Sequence, residues 1–189
     1  MKQQFIAWTD GSCDNINPQR PGGSAYIIFD SNGQEVKRAS KGFKGTSNNR
    51  MEILAIMSVV NSLPKNSSVK IHSDSQYSIN VLSRIWRASE NLDQITRYWD
   101  ICRDKNLNVE FQWVRGHDGN VWNELCDKMA RSEYAKMRNE AKPKETPKPK
   151  KTKPETKKQK AKDTWTNELE EQYYNQVTTK GRRKKTKKR

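Results

Sequence analysis

The sequence predicts an α/β domain in the first 137 residues and a lysine-rich extension after it. Short segments of β-branched and aromatic residues alternate with longer segments whose apolar residues recur every three or four positions, and this alternation predicts strands and helices. The composition changes near Met137. Residues 1–137 carry 18 Lys and Arg against 15 Asp and Glu, whereas residues 138–189 carry 19 against 7, so the excess positive charge belongs to the extension.

Five segments are predicted to be strands, at 3–10, 23–30, 34–43, 69–73 and 108–114. The first alternates β-branched and aromatic residues and leads straight to Asp10, so this carboxylate lies in or at the end of the strand. The fourth has the composition of a buried strand, and Asp74 follows it at once. Two carboxylates are therefore expected where strands end.

Four segments are predicted to be helices, at 48–62, 75–86, 91–105 and 120–136. The first begins at the capping-type residues Asn48 and Asn49, so Glu52 falls in its first turn and can reach back toward the strand ends. Asp127 lies one turn into the last helix. The apolar positions that give the first helix its spacing are Ile53, Leu54, Met57, Val60 and Leu63.

These four acidic residues are expected to meet, because sites in open α/β sheets form outside the ends of the strands. Two like charges about 4 Å apart repel by roughly 4 kcal/mol at an effective dielectric of about 20, so a carboxylate cluster needs cations. Ligand sets made only of oxygen suit Mg²⁺ or Mn²⁺ rather than zinc, and two such ions are a recurring device for phosphodiester hydrolysis. The sequence therefore predicts a divalent-metal site.

Five motifs carry these residues: TDGSC at 9–13, the glycine pair at 22–23, TSNNRME at 46–52, SDSQY at 73–77 and GHDGNVWNELCDKMA at 116–130. In these motifs and in their order, the chain resembles type 1 ribonuclease H over residues 3–136. The resemblance implies a ribonuclease H-like fold, with a mixed five-stranded sheet of three antiparallel and two parallel strands and helices on both faces.

The resemblance also implies an activity. Members of the family cut the RNA strand of an RNA/DNA hybrid with two Mg²⁺ ions, leaving a 3′-hydroxyl and a 5′-phosphate, and Mn²⁺ is a candidate substitute. Carried over to this sequence, the metal ligands are Asp10, Glu52, Asp74 and Asp127. His117 matches the family's mobile loop histidine, which assists proton transfer or product release.

Candidate substrate-binding residues follow from the same resemblance. Asn48 and Gln76 match positions used against the RNA strand, where 2′-hydroxyls distinguish RNA from DNA. Ser47 stands where many members have a threonine that binds a phosphate of the DNA strand. The remaining candidates are Gly11, Ser12 and Asn17.

Two departures from the family pattern stand out. The loop CDNINPQRPGG is longer than in the family, which leaves open which of its asparagines contacts substrate. The stretch between Gln76 and His117 is shorter than in long bacterial members, so the basic handle that grips the hybrid is reduced or absent. Arg84, Trp86 and Arg87 are its candidate remnant.

The extension divides into two predicted parts. Residues 138–163, rich in Lys and Pro, form a disordered linker because they bury too little apolar surface to offset their ordering entropy. Residues 164–177 form either a short helix that docks on the catalytic domain or on a partner protein, or a marginal helix within a disordered tail. The segment 164–189 ends in a basic tail, which is expected to bind phosphate backbones without sequence preference. The alternatives are a nuclear-import signal, if the source is a eukaryote, and a solvated tail with no partner.

The three cysteines are odd in number and lack metal-type spacing, so reduced thiols and a cytoplasmic location are expected, with the nucleus as the eukaryotic alternative. No apolar run is long enough for a membrane span, no signal peptide is expected, and a monomer is expected. Two alternative functions stay open on the same fold. One is a metal-dependent DNA nuclease or resolvase, and the other is a non-catalytic nucleic-acid-binding domain.

Overall fold

A computed structural model of the protein describes residues 2–139. These residues form five strands and four helices, and most of the predicted linker 138–163 and all of 164–189 lie outside them. In chain order the elements are β1 (Gln3–Cys13), β2 (Gly22–Asp30), β3 (Glu35–Phe43), α1 (Asn48–Ser62), β4 (Ser67–Ser73), α2 (Gln76–Leu82), α3 (Leu92–Asp104), β5 (Asn108–Trp113) and α4 (Val121–Asn139).

The five strands form one mixed sheet in the order β3-β2-β1-β4-β5. β1, β2 and β3 are antiparallel neighbours, whereas β4 and β5 run parallel to β1. α1 packs on β1 and β2 with α2 and α3 beside it, and α4 packs on β1, β2 and β3 from the other face. The expected sheet, with helices on both faces, is confirmed.

The main core lies between α1 and the central strands. α1 buries Ile53, Ile56, Val59 and Val60 against alternate residues of the sheet such as Ala7. β4 alternates buried and half-buried residues, whereas β2 is buried along almost its whole length because helices cover both of its faces. The parallel pairing of β4 with β1 and with β5 brings the carboxyl ends of these three strands to one edge of the sheet.

Three boundaries differ from the sequence prediction by three residues or more. β1 continues to Cys13, so Asp10 lies inside the strand and pairs with Ala25 of β2. α4 continues to Asn139, past the predicted end at 136 and across the predicted domain boundary at 137. α2 stops at Leu82 rather than 86, as described next.

The early end of α2 has a tertiary cause. Arg84 adopts a left-handed backbone conformation with a φ of 59°, which breaks the helix. Its guanidinium then lies 4.1 Å from the centre of the Trp99 ring on α3, a cation–π contact that local propensity does not register. Trp86, part of the predicted handle remnant, is 48% exposed in the turn that follows.

Within residues 2–139, no helix combines the length and the apolar character needed to cross a membrane.

Candidate active site

Three of the predicted carboxylates meet at one edge of the sheet. Trp8 of β1 pairs with His72 of β4 in parallel register, so Asp10 and Asp74, each two residues further on, reach the same edge. Glu52 joins them from the first turns of α1. Each of the three carboxylates offers an oxygen, and these oxygens lie within 4.8 Å of one another.

Glu52 reaches Asp10 because α1 approaches β1 closely at Gly11. A Cβ atom added to Gly11 would lie 2.3 Å from the backbone nitrogen of Glu52, which is closer than real Cβ contacts. The helix start is held by Ser47, whose Oγ accepts a hydrogen bond from the Arg50 backbone nitrogen at 3.4 Å. Only glycine at position 11 permits this approach of α1.

The cluster is electrostatically strained without cations. Burial raises the pKa of Asp10 to about 8, and the negative charges of Asp74 and Asp127 act in the same direction. Burial, followed by the charges of Asp10 and Asp74, raises the pKa of Glu52 well above its usual range. Glu52 Oε2 is buried and has no hydrogen-bond partner among the described residues. An oxygen-only ligand set with an unsatisfied buried oxygen fits a divalent cation.

Asp127 lies beside this cluster, on α4. Its Oδ1 accepts a hydrogen bond from Arg131 Nε at 2.7 Å, and its Oδ2 lies 4.0 Å from His117 Nδ1. Its charge acts on Asp10, but its carboxylate is not one of the three that share the 4.8 Å group. The role of Asp127 as a fourth ligand therefore stays a prediction.

His117 lies in the loop between β5 and α4. Its side chain is 67% exposed, and its φ of 53° places it in the left-handed region. This conformation is uncommon for residues other than glycine, and histidine is one of the few that adopt it more often, so it indicates a loop rather than strain. The predicted proton-transfer role requires such access, and it stays a prediction.

Asn123 is a site residue that the sequence did not single out for this role. It is 2% exposed, its Nδ2 donates a hydrogen bond to Asp74 Oδ2 at 3.3 Å, and its Oδ1 has no partner within the described part of the chain. The N-terminus of α4 is capped by a different asparagine, Asn120, whose Oδ1 accepts hydrogen bonds from the backbone nitrogens of Trp122 and Asn123. The spacing in the sequence could have indicated this role, because Asn123 precedes Asp127 by one helical turn and lies on the same face of the helix.

The predicted substrate-binding residues lie on, or next to, the elements that carry the three carboxylates. Asn48 and Gln76 are exposed first residues of α1 and α2. Gly11 is buried under α1, and Ser12 is half-buried on β1. Asn17 lies in the long loop after β1, where its Oδ1 accepts from the Gln19 backbone nitrogen at 2.9 Å. The Asn17 side-chain oxygen is thus used within the loop itself.

A second unpredicted residue, Asn91, lies before α3. Its Nδ2 is buried without a partner among the residues described, and its φ is 58°. Asp93, two residues on, accepts two hydrogen bonds from the Arg50 guanidinium, the one from Nη1 at 2.9 Å. Because Arg50 also contacts Ser47 through its backbone, the start of α3 is tied to the start of α1.

Comparisons with known proteins agree with this geometry. The sequence model of the RNase H family matches residues 2–135. Ribonuclease HI of Pasteurella multocida is 34% identical over 143 residues, with 70% of this chain and 90% of the relative covered. Ribonuclease H of Oleidesulfovibrio alaskensis is 38% identical over 143 residues, with 69% and 90% covered.

Solved structures share the fold. The N-terminal RNase H domain of a Mycobacterium tuberculosis protein superposes with a TM-score of 0.64 at 14% identity, covering 75% of this chain and all of that one. LC11-RNase H1, solved in complex with an RNA/DNA hybrid, gives 0.61 at 18% identity, covering 70% and 98%. The family match spans more than half of the sequence and includes every carboxylate of the cluster. The chain therefore belongs to the ribonuclease H family of enzymes.

Proposed function

We propose that the chain is an endoribonuclease that hydrolyses the RNA strand of RNA/DNA hybrids with two divalent cations, leaving 3′-hydroxyl and 5′-phosphate ends. The observation that carries the proposal is the group of three carboxylates whose oxygens lie within 4.8 Å of one another. Family membership supports the reaction class, and the hybrid in the LC11-RNase H1 complex supports the substrate. Mg²⁺ is the proposed cofactor, with Mn²⁺ as a substitute, because every ligand is a hard oxygen.

The protein groups have separate tasks in this proposal. Asp10, Glu52 and Asp74 bind the cations, and Asp127 completes the set from α4. Bound cations supply activation of the attacking water and stabilisation of the leaving oxygen. His117 exchanges a proton with the reacting oxygens, because its imidazole is exposed and lies 4.0 Å from the Asp127 carboxylate.

Residues at the rim of the site contact the RNA strand and the DNA strand of the hybrid. Asn48 and Gln76, exposed at the starts of α1 and α2, hydrogen-bond the RNA strand, where a 2′-hydroxyl offers both a donor and an acceptor. Ser47, at the start of α1, binds a phosphate of the DNA strand. Gly11, Ser12 and Asn17 line the side of the site formed by β1 and the loop after it.

A cleavage panel tests the function. The full chain is incubated with an RNA/DNA hybrid, single-stranded RNA, double-stranded RNA and duplex DNA, each with Mg²⁺ and with a chelator. We expect cleavage of the hybrid alone, in its RNA strand and only with Mg²⁺. Cleavage of duplex DNA would instead support the DNA nuclease or resolvase, and binding without cleavage would support the non-catalytic domain.

The basic extension is proposed to raise the affinity for nucleic acid. Residues 138–189 hold 19 Lys and Arg against 7 Asp and Glu, and each phosphate that they neutralise releases counterions. Their contacts would follow the backbone and carry no sequence preference. A tethered basic segment can thus replace the reduced handle by keeping the substrate close.

Deleting residues 140–189, which leaves α4 complete, should weaken hybrid binding and flatten its salt dependence while kcat stays near that of the full chain. The slope of log affinity against log salt falls by about 0.9 for each duplex phosphate that the shortened chain no longer neutralises. Binding is measured by fluorescence anisotropy over a range of NaCl concentrations. An unchanged slope would show that residues 140–189 do not contribute to substrate binding.

Asn123→Asp should lower kcat or the affinity for Mg²⁺ by about 10- to 100-fold, as is common when a group that orients a metal ligand is removed. The change keeps the side-chain shape but removes the amide that donates to Asp74. The measurement is the Mg²⁺ dependence of hybrid cleavage, with the exposed Asn108→Asp as the control. A wild-type Mg²⁺ profile in a folded variant would mean that Asn123 does not position Asp74.

A further inference from the structure

A groove of about 500 Å³ lies between β3 and the outer side of α1, a volume in the range of ligand pockets. It follows α1 as far as Ser62, about 15 Å along the helix from Glu52 at 1.5 Å per residue, so it leads away from the carboxylates. The side chains that matter most in its lining are Lys37, Lys41, Phe43, Leu54, Met57 and Arg97.

The floor of the groove is apolar. α1 packs on β1 and β2 and leaves this side of β3 uncovered, so Phe43, Leu54 and Met57 stay only partly buried. A hydrogen bond of 2.9 Å between Tyr26 Oη and Ser62 Oγ ties β2 to α1 at the same groove. An occupant with apolar side chains would remove this surface from water, and each Å² removed favours binding by roughly 25 cal/mol.

The rim of the groove is positively charged. Lys37, Lys41 and Arg97 are exposed and make no ion pair with any residue in the range 2–139, and no carboxylate of that range lines the groove. The positive charge of this rim also acts on Lys105. Burial lowers the pKa of Lys105, and the positive charges of Lys37 and Lys65 lower it further. An acidic occupant would relieve this repulsion.

We propose that the groove is a docking site for an acidic peptide segment of a partner protein, with apolar side chains spaced between its carboxylates. The exposed cations pair with the carboxylates, and the apolar floor receives the side chains between them. A nucleic-acid backbone fits less well, because it has no apolar group to place on Leu54 and Met57. Lys41 Nζ also lies 5.5 Å from the centre of the Phe43 ring and covers the face on which a base would stack.

The probe is a fluorescent synthetic peptide in which aspartates alternate with leucine and phenylalanine, titrated against the full chain. We expect Lys37→Ala/Lys41→Ala to weaken its binding by about tenfold, because two exposed ion pairs with the peptide are lost. The matched control, Lys2→Ala/Lys65→Ala, removes two exposed cations outside the groove that likewise make no ion pair within residues 2–139, and it should bind as wild type. Backbone amide shifts should cluster at Ala39, Met57 and Ile101.

Three outcomes would overturn the proposal. One is equal loss of binding in both double variants, which would mean attraction to net charge alone. Another is unchanged binding of a peptide in which asparagine replaces every aspartate. The third is a Lys37→Ala/Lys41→Ala variant that keeps peptide binding but loses affinity for the RNA/DNA hybrid, since the groove would then belong to nucleic acid. Hybrid cleavage at saturating substrate should stay at the wild-type rate, and this readout separates the groove from the active site.

Discussion

Asp10→Asn should lower the rate of hybrid cleavage by about 10³-fold or more, because the proposed cations would supply several kcal/mol of transition-state stabilisation and Asp10 is one of the two buried carboxylates proposed to hold them. The measurement is single-turnover cleavage of a labelled hybrid in Mg²⁺. Asp104→Asn, an exposed change on α3 that removes only an ion pair with Arg103, is the control and should keep full activity. Full activity of Asp10→Asn would rule out catalysis by two cations at this site.

The same variant should change how stability depends on pH in the presence of a chelator. The pKa of Asp10 rises on folding from 3.8 to about 8, so its contribution to the free energy of unfolding is fully present below pH 3.8 and is lost as the pH rises through about 8. Asp10→Asn cannot titrate and should lose less stability over that window. Thermal melting curves of the two proteins between pH 4 and pH 8 measure this difference in stability. An identical pH dependence of the two melting temperatures would mean that folding does not raise the pKa of Asp10.

Gly11→Ala should have the second large effect. Its Cβ would meet the Glu52 backbone nitrogen at 2.3 Å, so the start of α1 must move away from β1. A shift of about 1 Å in a catalytic group can cost about 100-fold in rate, and overpacking a well-packed site costs about 1–3 kcal/mol of stability. Hybrid cleavage and thermal melting are both measured.

Gly42→Ala is the matched control for this prediction. Position 42 is also a strand glycine, but its Cβ would meet Met137 Cγ at 2.6 Å and the Glu133 carbonyl oxygen at 3.1 Å, both on the later turns of α4 and neither in the carboxylate cluster. We expect Gly42→Ala to keep the wild-type rate whatever stability it loses. Equal rates for both variants would show that the approach of α1 to β1 does not set the position of Glu52.

Local patterns predicted every strand and helix of residues 2–139, and they placed Asp10 in the first strand, Asp74 directly after a strand and Glu52 in the first turn of a helix. They could not supply the sheet topology, because alternation of apolar residues says nothing about which strands are neighbours. The division into three antiparallel and two parallel strands came from the motifs shared with ribonuclease H. The observed order β3-β2-β1-β4-β5 explains why the three distant carboxylates meet.

What the sequence missed depends on contacts between distant segments. The end of α2 is set by Arg84 turning onto Trp99, which lies on another helix. The role of Asn123 depends on Asp74, 49 positions away, and became visible only when α4 was placed against the carboxylate edge. Asn17, expected at the substrate, uses its side-chain oxygen inside its own loop, which local turn chemistry explains, and its contact with substrate stays a prediction.

Anomalous diffraction from crystals of the full chain soaked in Mn²⁺ tests the shared cation site most directly. Two Mn²⁺ peaks about 4 Å apart are expected, held by the carboxylates of Asp10, Glu52 and Asp74. The same soak of Asp10→Asn crystals should lose at least one peak. Mn²⁺ bound elsewhere on the protein, with no peak among these three carboxylates, would contradict the assignment.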